Sequence, residues 1–366
     1  MKITKIQLKN FRNIENLELT LNENINLFVG DNAQGKTNFL ESIYTLALSK
    51  SHRNINEFEI IKENKDFFKV VGWLDNNNKY EIICTEKEKN LKINDIKVDK
   101  VSNYISNINI IMFTPDDLEI IKKSPQYRRN LLNTELCQLY RDYVILLNEY
   151  NKILKIRNDY LKNNYGKYDY NYLDIITEKL IERLIKITKY RVDYINDVNL
   201  KIGKIFKKIT NKDNLHIIYE TSVPYIGKSL EEIMSFYKQN YEKDIMNRMT
   251  MYGSHRDDFS FYLDDKNLKL YGSQGQQRIA ILSFKLAEID IFKKIKKEYP
   301  IVLLDDVFSE IDIKKRNNII KFIKSNIQYI ITTTDLKNIN QKIVDNAGIF
   351  KVKDGNITKK EGRKNG

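Results

Sequence analysis

Cysteine, histidine and proline are scarce in this chain: two, three and four among 366 residues, with a single tryptophan. The two cysteines, Cys84 and Cys137, cannot build a disulfide framework and lack metal-ligand spacing, so they read as buried thiols of a reducing compartment. Thirteen glycines and four prolines leave few places for a linker, and there is no internal repeat or extended low-complexity tract. No run of about 18 uncharged apolar residues occurs, and Met1-Lys2-Ile3-Thr4-Lys5-Ile6 has no signal-peptide stretch. The expectation is a cytoplasmic chain with no membrane span and no membrane partner.

Hydrophobic residues at 42% and aromatics at 11% are enough for a folded core, and the length suggests about two domains. Lys plus Arg outnumber Asp plus Glu by 62 to 49, a net charge of +13. Such an excess suits a polyanion whose phosphates exchange counterions for lysines. The competing reading is a set of solvated lysine faces in a chain dense in Lys, Asn and Ile.

Gly30-Asp31-Asn32-Ala33-Gln34-Gly35-Lys36-Thr37 is an unbroken G-x-x-x-x-G-K-T phosphate loop. It follows the strand-like run 25–29 and precedes a helical stripe of Phe39, Leu40, Ile43, Leu46 and Ala47. Only between a strand and a helix do consecutive N–H groups and the positive helix end face a phosphate, and a chance Gly-rich turn lacks that setting. Lys36 is expected at the β and γ phosphates and the Thr37 hydroxyl on Mg²⁺.

Two further segments complete a nucleotide site. Ile301-Val302-Leu303-Leu304-Asp305-Asp306 reads as a buried parallel strand ending in two carboxylates. Asp305 is expected beside Thr37 at the metal, and Asp306 is placed to orient or deprotonate the attacking water. An ordinary strand with an acidic turn is the alternative for this fragment alone. Ser273-Gln274-Gly275-Gln276 opens a helix with apolar Ile279, Leu282, Leu286 and Ala287, offering a second helix N-terminus to a phosphate or else a plain Gly-containing cap.

In the middle of the chain, Leu132, Leu136, Leu139, Tyr143, Leu146, Tyr150 and Ile153 follow a coiled-coil-like seam. A second stripe runs through Leu173, Ile176, Leu180, Leu184, Ile187, Tyr190, Tyr194 and Val198. Two antiparallel helices of about 50 Å each are expected. Lys152, Lys155, Arg157, Lys162, Lys167, Lys179, Arg183, Lys186, Lys189 and Arg191 decorate them, either to grip phosphates or as a solvated face.

Together, Gly30 to Thr37, Ser273-x-Gly275-Gln276, Asp305-Asp306 and Ser309-Glu310-Ile311-Asp312 resemble an ABC-type ATPase head. With Asn10-Phe11-Arg12-Asn13, Ser51-His52-Arg53, Ser124-Pro125-x-x-Arg128-Arg129 and His255-Arg256-Asp257-Asp258, the chain resembles the RecF family of bacterial recombination-mediator ATPases. That resemblance implies an α/β fold, an SMC-like head with an inserted, mainly helical lobe. The corresponding boundaries are an ATPase part at 1–125, the lobe at 126–249 and a second ATPase part at 250–366. It implies ATP and Mg²⁺ as ligands and an ATP-dependent homodimer in which Ser273, Gly275 and Gln276 face the partner's triphosphate. Arg12 and Asn13, and more remotely Arg53, would flank the nucleotide. Implied too are a weak, DNA-stimulated ATPase, binding to gapped duplex and single-strand/duplex junctions, recombinase loading and other recombination mediator proteins as partners. Ser254 stands where the family usually has Pro. No glutamine lies between Gln34 and Gln126 and no histidine follows Asp306, so the switch position falls in Ile331-Thr332-Thr333-Thr334-Asp335. A transporter motor subunit and a short SMC-like tether are the alternatives.

Overall fold

The computed structural model of the chain describes residues 1–360 except 54, 165, 212, 213, 226 and 308–310, with Leu118 and Asn338 described only in their backbone. Two compact units result, the first from Met1–Asp117, Ile205–Lys212 and Ile281–Gly366, the second from Leu118–Lys204 and Asp213–Ala280. These limits differ from 125/126 and 249/250. Arg128 forms a bidentate pair with Asp258 (2.6 and 2.8 Å), and Asp258–Leu263 pairs antiparallel with Leu215–Glu220. Residues on both sides of the expected boundaries are thereby tied into one unit, which carries a three-stranded sheet beside its helices.

In the first unit, the short apolar runs become a six-stranded sheet ordered Asn356–Lys359, Ala347–Lys353, Ile25–Val29, Tyr329–Thr333, Ile301–Asp305, Ile110–Phe113. All neighbours are parallel except the first pair. Near-continuous β-branched and aromatic sequences suit strands covered on both faces. The helix Lys36–Leu48 packs here, with Phe39, Leu40, Ile43, Leu46 and Ala47 fully buried as its periodicity predicts. Phe28 stacks on Phe39 at 4.3 Å and on Phe350 at 4.7 Å.

A second, antiparallel sheet runs Ile14–Thr20, Ile3–Phe11, Phe67–Leu74, Lys79–Thr85, Lys89–Ile93, Ile96–Lys97. Its strands alternate: Ile6, Leu8, Val70 and Ile82 enter the core while Lys5, Gln7, Lys9 and Lys69 face out. Gly72 admits the helix, because a Cβ there would lie 2.4 Å from Leu46 Cδ2.

The second unit corrects the two-helix expectation. The first seam is two helices, Pro125–Leu139 and Arg141–Asn163, broken at Tyr140, whose φ of −134° and ψ of 113° are extended. Leu132, Leu136, Leu139, Tyr143 and Tyr150 are buried, but Leu146 and Ile153 only half so. The second stripe is the helix Tyr170–Thr210, 41 residues long, burying Leu173, Ile176, Leu180, Leu184, Ile187, Tyr194 and Val198. Arg157 and Arg191 leave the solvated face: they are 0% and 2% exposed. Arg157 pairs with Asp244 at 2.7 Å, and Arg191 donates to the Ser254 carbonyl at 2.6 Å. A buried guanidinium with such partners is structural and is closed to phosphate. Cys84 is buried as expected, whereas Cys137 is half-buried; neither forms a disulfide.

Candidate nucleotide-binding site

Strand Ile25–Val29 ends at Gly30, and the helix begins at Lys36 with Gly35 as its cap at φ 109°. Both glycines are demanded. A Cβ on Gly30 would sit 2.3 Å from the Val352 carbonyl oxygen, and one on Gly35 would strain the backbone and approach the Asn13 amide to 2.9 Å. Asp31, Asn32 and Ala33 form the exposed crown of the loop. Gln34 anchors it from below: its side-chain oxygen accepts the Asp354 N–H at 2.7 Å and its carbonyl accepts the Gly355 N–H at 2.9 Å.

Lys36 Nζ donates to the Gly30 and Asp31 carbonyls at 2.6 and 2.7 Å. Burial pushes this ammonium below the ordinary lysine range, against the opposing pull of Asp306, Asp305 and Asp31. Thr37 Oγ1 donates to Asp305 Oδ2 at 2.8 Å, joining residues 268 apart in sequence. The parallel sheet makes this possible, since Tyr329–Thr333 separates the loop strand from Ile301–Asp305 and all three end on the same side.

Thr332 lies in the segment to which the sequence assigned the switch position without singling out a residue. Its hydroxyl donates to Asp305 Oδ1 at 2.6 Å and accepts the Asp306 N–H at 3.0 Å, so it orients both carboxylate residues. Asp306 itself has a left-handed backbone, φ 45°. The strand-end threonines carried that signal, but only the pairing of Asp305 with Thr332 across the sheet reveals it.

Glu41 is a residue that sequence reasoning left without a role. Fully buried on the loop helix, it accepts from Arg12 Nε and Nη2 at 3.1 and 2.9 Å and from Ser51 Oγ at 2.6 Å, with Arg53 Nε 3.7 Å away. Burial raises its carboxyl, but the hydrogen bonds from Arg12 and Ser51 bring it below its ordinary value. A carboxylate inside an apolar stripe was the legible clue. Arg12 is thus spent on Glu41, while Asn13 reaches the loop directly, donating to the Gln34 carbonyl at 3.4 Å and accepting from Asn38 at 2.9 Å. Arg53 also donates to Asn38 Oδ1 at 3.2 Å.

The signature segment and the Ser124 to Arg129 and His255 to Asp258 motifs stand in the second unit. Ser273 and Gln276 form a reciprocal cap on the helix Gln274–Lys296: Ser273 Oγ accepts the Gln276 N–H at 3.3 Å and Gln276 Oε1 accepts the Ser273 N–H at 2.8 Å. Gly275 is exposed, and a Cβ on it would meet nothing within 4 Å. The Ser124 to Arg129 and His255 to Asp258 motifs hold each other, through Arg128 to Asp258 and through Arg129, which donates to the Asp257 carbonyl at 2.8 Å. Ser254 is buried, with its hydroxyl 3.4 Å from that of Thr188. Ser309 and Glu310 lie outside the described residues; Asp312 caps the helix Ile313–Ile320.

A hydroxyl hydrogen-bonded to a carboxylate is a hard-oxygen donor pair that fits Mg²⁺, an ion that fills its remaining positions with water and phosphate oxygens. The loop amides, Lys36 and this pair form a cradle suited to a magnesium-bound polyphosphate.

The family profile described as the RecF/RecN/SMC N terminal domain matches residues 2–358. The DNA replication and repair protein RecF of Ligilactobacillus salivarius is 39% identical over 369 residues, covering 98% of this chain and 97% of its own. That of Staphylococcus carnosus is 37% identical over 370 residues, covering 98% and 100%. A solved structure of the recombination mediator protein RecF with ATP, in the RecFOR pathway, superposes with a TM-score of 0.90 at 30% identity over 98% of both chains. A Smc head bound to the C-winged helix domain of ScpA, at 16% identity and a TM-score of 0.57, shares the fold. With its phosphate loop, ABC-type α/β fold and near full-length similarity, the chain belongs to the RecF family of DNA replication and repair proteins.

Proposed function

We propose that this chain is a cytoplasmic ATP-driven switch of recombinational repair: it binds ATP and Mg²⁺, pairs with a second copy, and in that state holds gapped duplex or single-strand/duplex junctions for recombinase loading. The observation that supports the reading is the Thr37 to Asp305 hydrogen bond, which brings the hydroxyl after Lys36 together with the strand-end carboxylate. Mg²⁺ held by Thr37 and Asp305 would neutralise charge on the β and γ phosphates. Lys36 binds the same oxygens, Thr332 keeps Asp305 and Asp306 in place, and Asp306 accepts the proton of the attacking water.

Pairing is supported by the exposed signature segment. Gly275 meets no packing need among the described residues, and Leu270 and Tyr271, a few residues before it, are each 71% exposed. A second copy's triphosphate brought to Ser273, Gly275 and Gln276 would use the open helix end and cover those apolar side chains. Hydrolysis, slow and DNA-stimulated, then separates the pair, and other mediator proteins act on the DNA-bound form.

Sedimentation tests this. With ATP, Mg²⁺ and gapped duplex, the wild type should sediment as a DNA-bound pair, whereas Lys36→Ala and Ser273→Arg should remain single. A wild-type chain that stays single at saturating ATP, or that binds DNA equally well without nucleotide, refutes the reading.

A further inference from the structure

The outward face of the antiparallel sheet carries a lysine arrangement that strand stability does not ask for. In the register of Ile3–Phe11 with Phe67–Leu74, Lys9 lies directly opposite Lys69 on the solvent side. Like charges directly opposed across antiparallel strands destabilise the pair. Lys5, Lys79, Lys92 and Lys97 share this face, so six lysines stand against its two carboxylates, Glu18 and Glu81. Glu81 holds Lys69 at 2.7 Å and Lys92 at 3.2 Å, Glu18 takes Lys5, and Asp95 of the adjoining turn takes Lys79 at 2.6 Å. Lys9 has no carboxylate partner among the described residues, and it borders a groove of about 430 Å³ lined also by Gln7, Asn16, Glu18, Lys69 and Val71.

The aromatic rings on this face are already covered. Lys9 Nζ lies 5.6 Å from the Phe67 ring centroid, and Lys5 and Lys79 lie 5.2 and 5.9 Å from that of Trp73. Rings faced by ammonium groups are poor stacking platforms for unpaired bases, whereas the ammonium groups themselves are directed at phosphates. Lys5 and Lys9, four residues apart on one strand, are separated by about 13 Å along it, a distance on the scale of the roughly 12 Å major groove of duplex DNA.

We infer that the face formed by Lys5, Lys9, Lys69 and Lys92 around the Gln7/Asn16 groove is a docking surface for the phosphodiester backbone of duplex DNA. This rests on the proposed DNA-binding function and gives that function its duplex-side contact. The surface reads charge and spacing, not base sequence.

The test is fluorescence anisotropy of the full chain with ATP and Mg²⁺, titrating a labelled duplex and, separately, a labelled single strand across a range of salt. Wild type is compared with Lys9→Gln and Lys9→Glu, chosen because Lys9 is exposed and carries no ion pair that its removal would break. Lys9→Gln should lower duplex affinity roughly threefold to tenfold and reduce the salt slope by about one, with the larger loss in Lys9→Glu. ATP turnover without DNA and the unfolding midpoint should match wild type. Trp73, the only tryptophan, should change emission when wild type binds duplex. If wild type binds duplex but both variants share its affinity and slope, the surface assignment is overturned while the DNA reading stands. A larger Lys9 effect on the single strand overturns the choice of duplex. A wild type that binds neither DNA overturns the DNA reading and this surface with it.

Discussion

His255 is held as a neutral ring by its two neighbours. Nδ1 accepts from the Tyr150 hydroxyl at 2.8 Å and Nε2 donates to the Thr250 carbonyl at 3.0 Å, the tautomer that satisfies both. Burial brings its pKa from 6.5 down to about 4. Between those values the unfolded chain binds a proton that the folded chain refuses, so stability is full above about 6.5 and falls as pH drops toward 4. The loss reaches about 3 kcal/mol at the lower end. Urea unfolding at pH 7 and pH 4.5 should therefore show a smaller acid loss in His255→Gln than in wild type; equal losses would refute the assignment. At the nucleotide site, Asp306→Asn removes the proposed proton acceptor but leaves the backbone N–H held by Thr332. Phosphate release should fall by roughly 10²-fold or more while the proposed ATP-bound pair accumulates. Unchanged turnover would transfer the role to another group.

Among the elements, those with a strong period were legible in sequence. The helix after the loop, the strand before it and the strand ending at Asp305 all occur where their apolar spacing places them. The break at Tyr140 was not legible, because 4-3 spacing continues through it; it lies in the extended backbone of Tyr140, whose ring sits 4.9 Å from that of Tyr190. The turn at Asp354–Gly355 was equally hidden. It closes a hairpin of Ala347–Lys353 with Asn356–Lys359, and it grips Gln34. Gly355 has φ +77°, and a Cβ there would lie 2.4 Å from the Asn13 carbonyl oxygen. Gly355→Ala should shift this turn and loosen the loop, weakening ATP binding about tenfold, an effect of about 1.4 kcal/mol, though no phosphate-binding residue is altered. Isothermal titration checks it, and an unchanged affinity would show the turn to be a bystander.

Across the whole molecule, the first unit contains the loop, Asp305 and Asp306 while the second contains Ser273 and Gly275. A ligand that binds only the folded first unit stabilises it by about 2.7 kcal/mol at a hundredfold excess over Kd. In calorimetry, ATP with Mg²⁺ should raise the transition of that unit in wild type and leave it in place in Lys36→Ala. A rise of equal size in both would place the nucleotide elsewhere.

Sequence alone determined the phosphate loop, the carboxylate strand and the apolar stripes, because each depends on residues within about one element and on a period the backbone imposes. The tertiary structure decided the rest. It brought Thr37 to Asp305, enclosed Glu41 between Arg12 and Ser51, buried Arg157 and Arg191 against their partners and set Lys9 opposite Lys69. Periodicity says which side of an element is apolar. What meets that side, and which charges are thereby paired or left facing solvent, depends on elements from 10 to 268 residues away packing at close range.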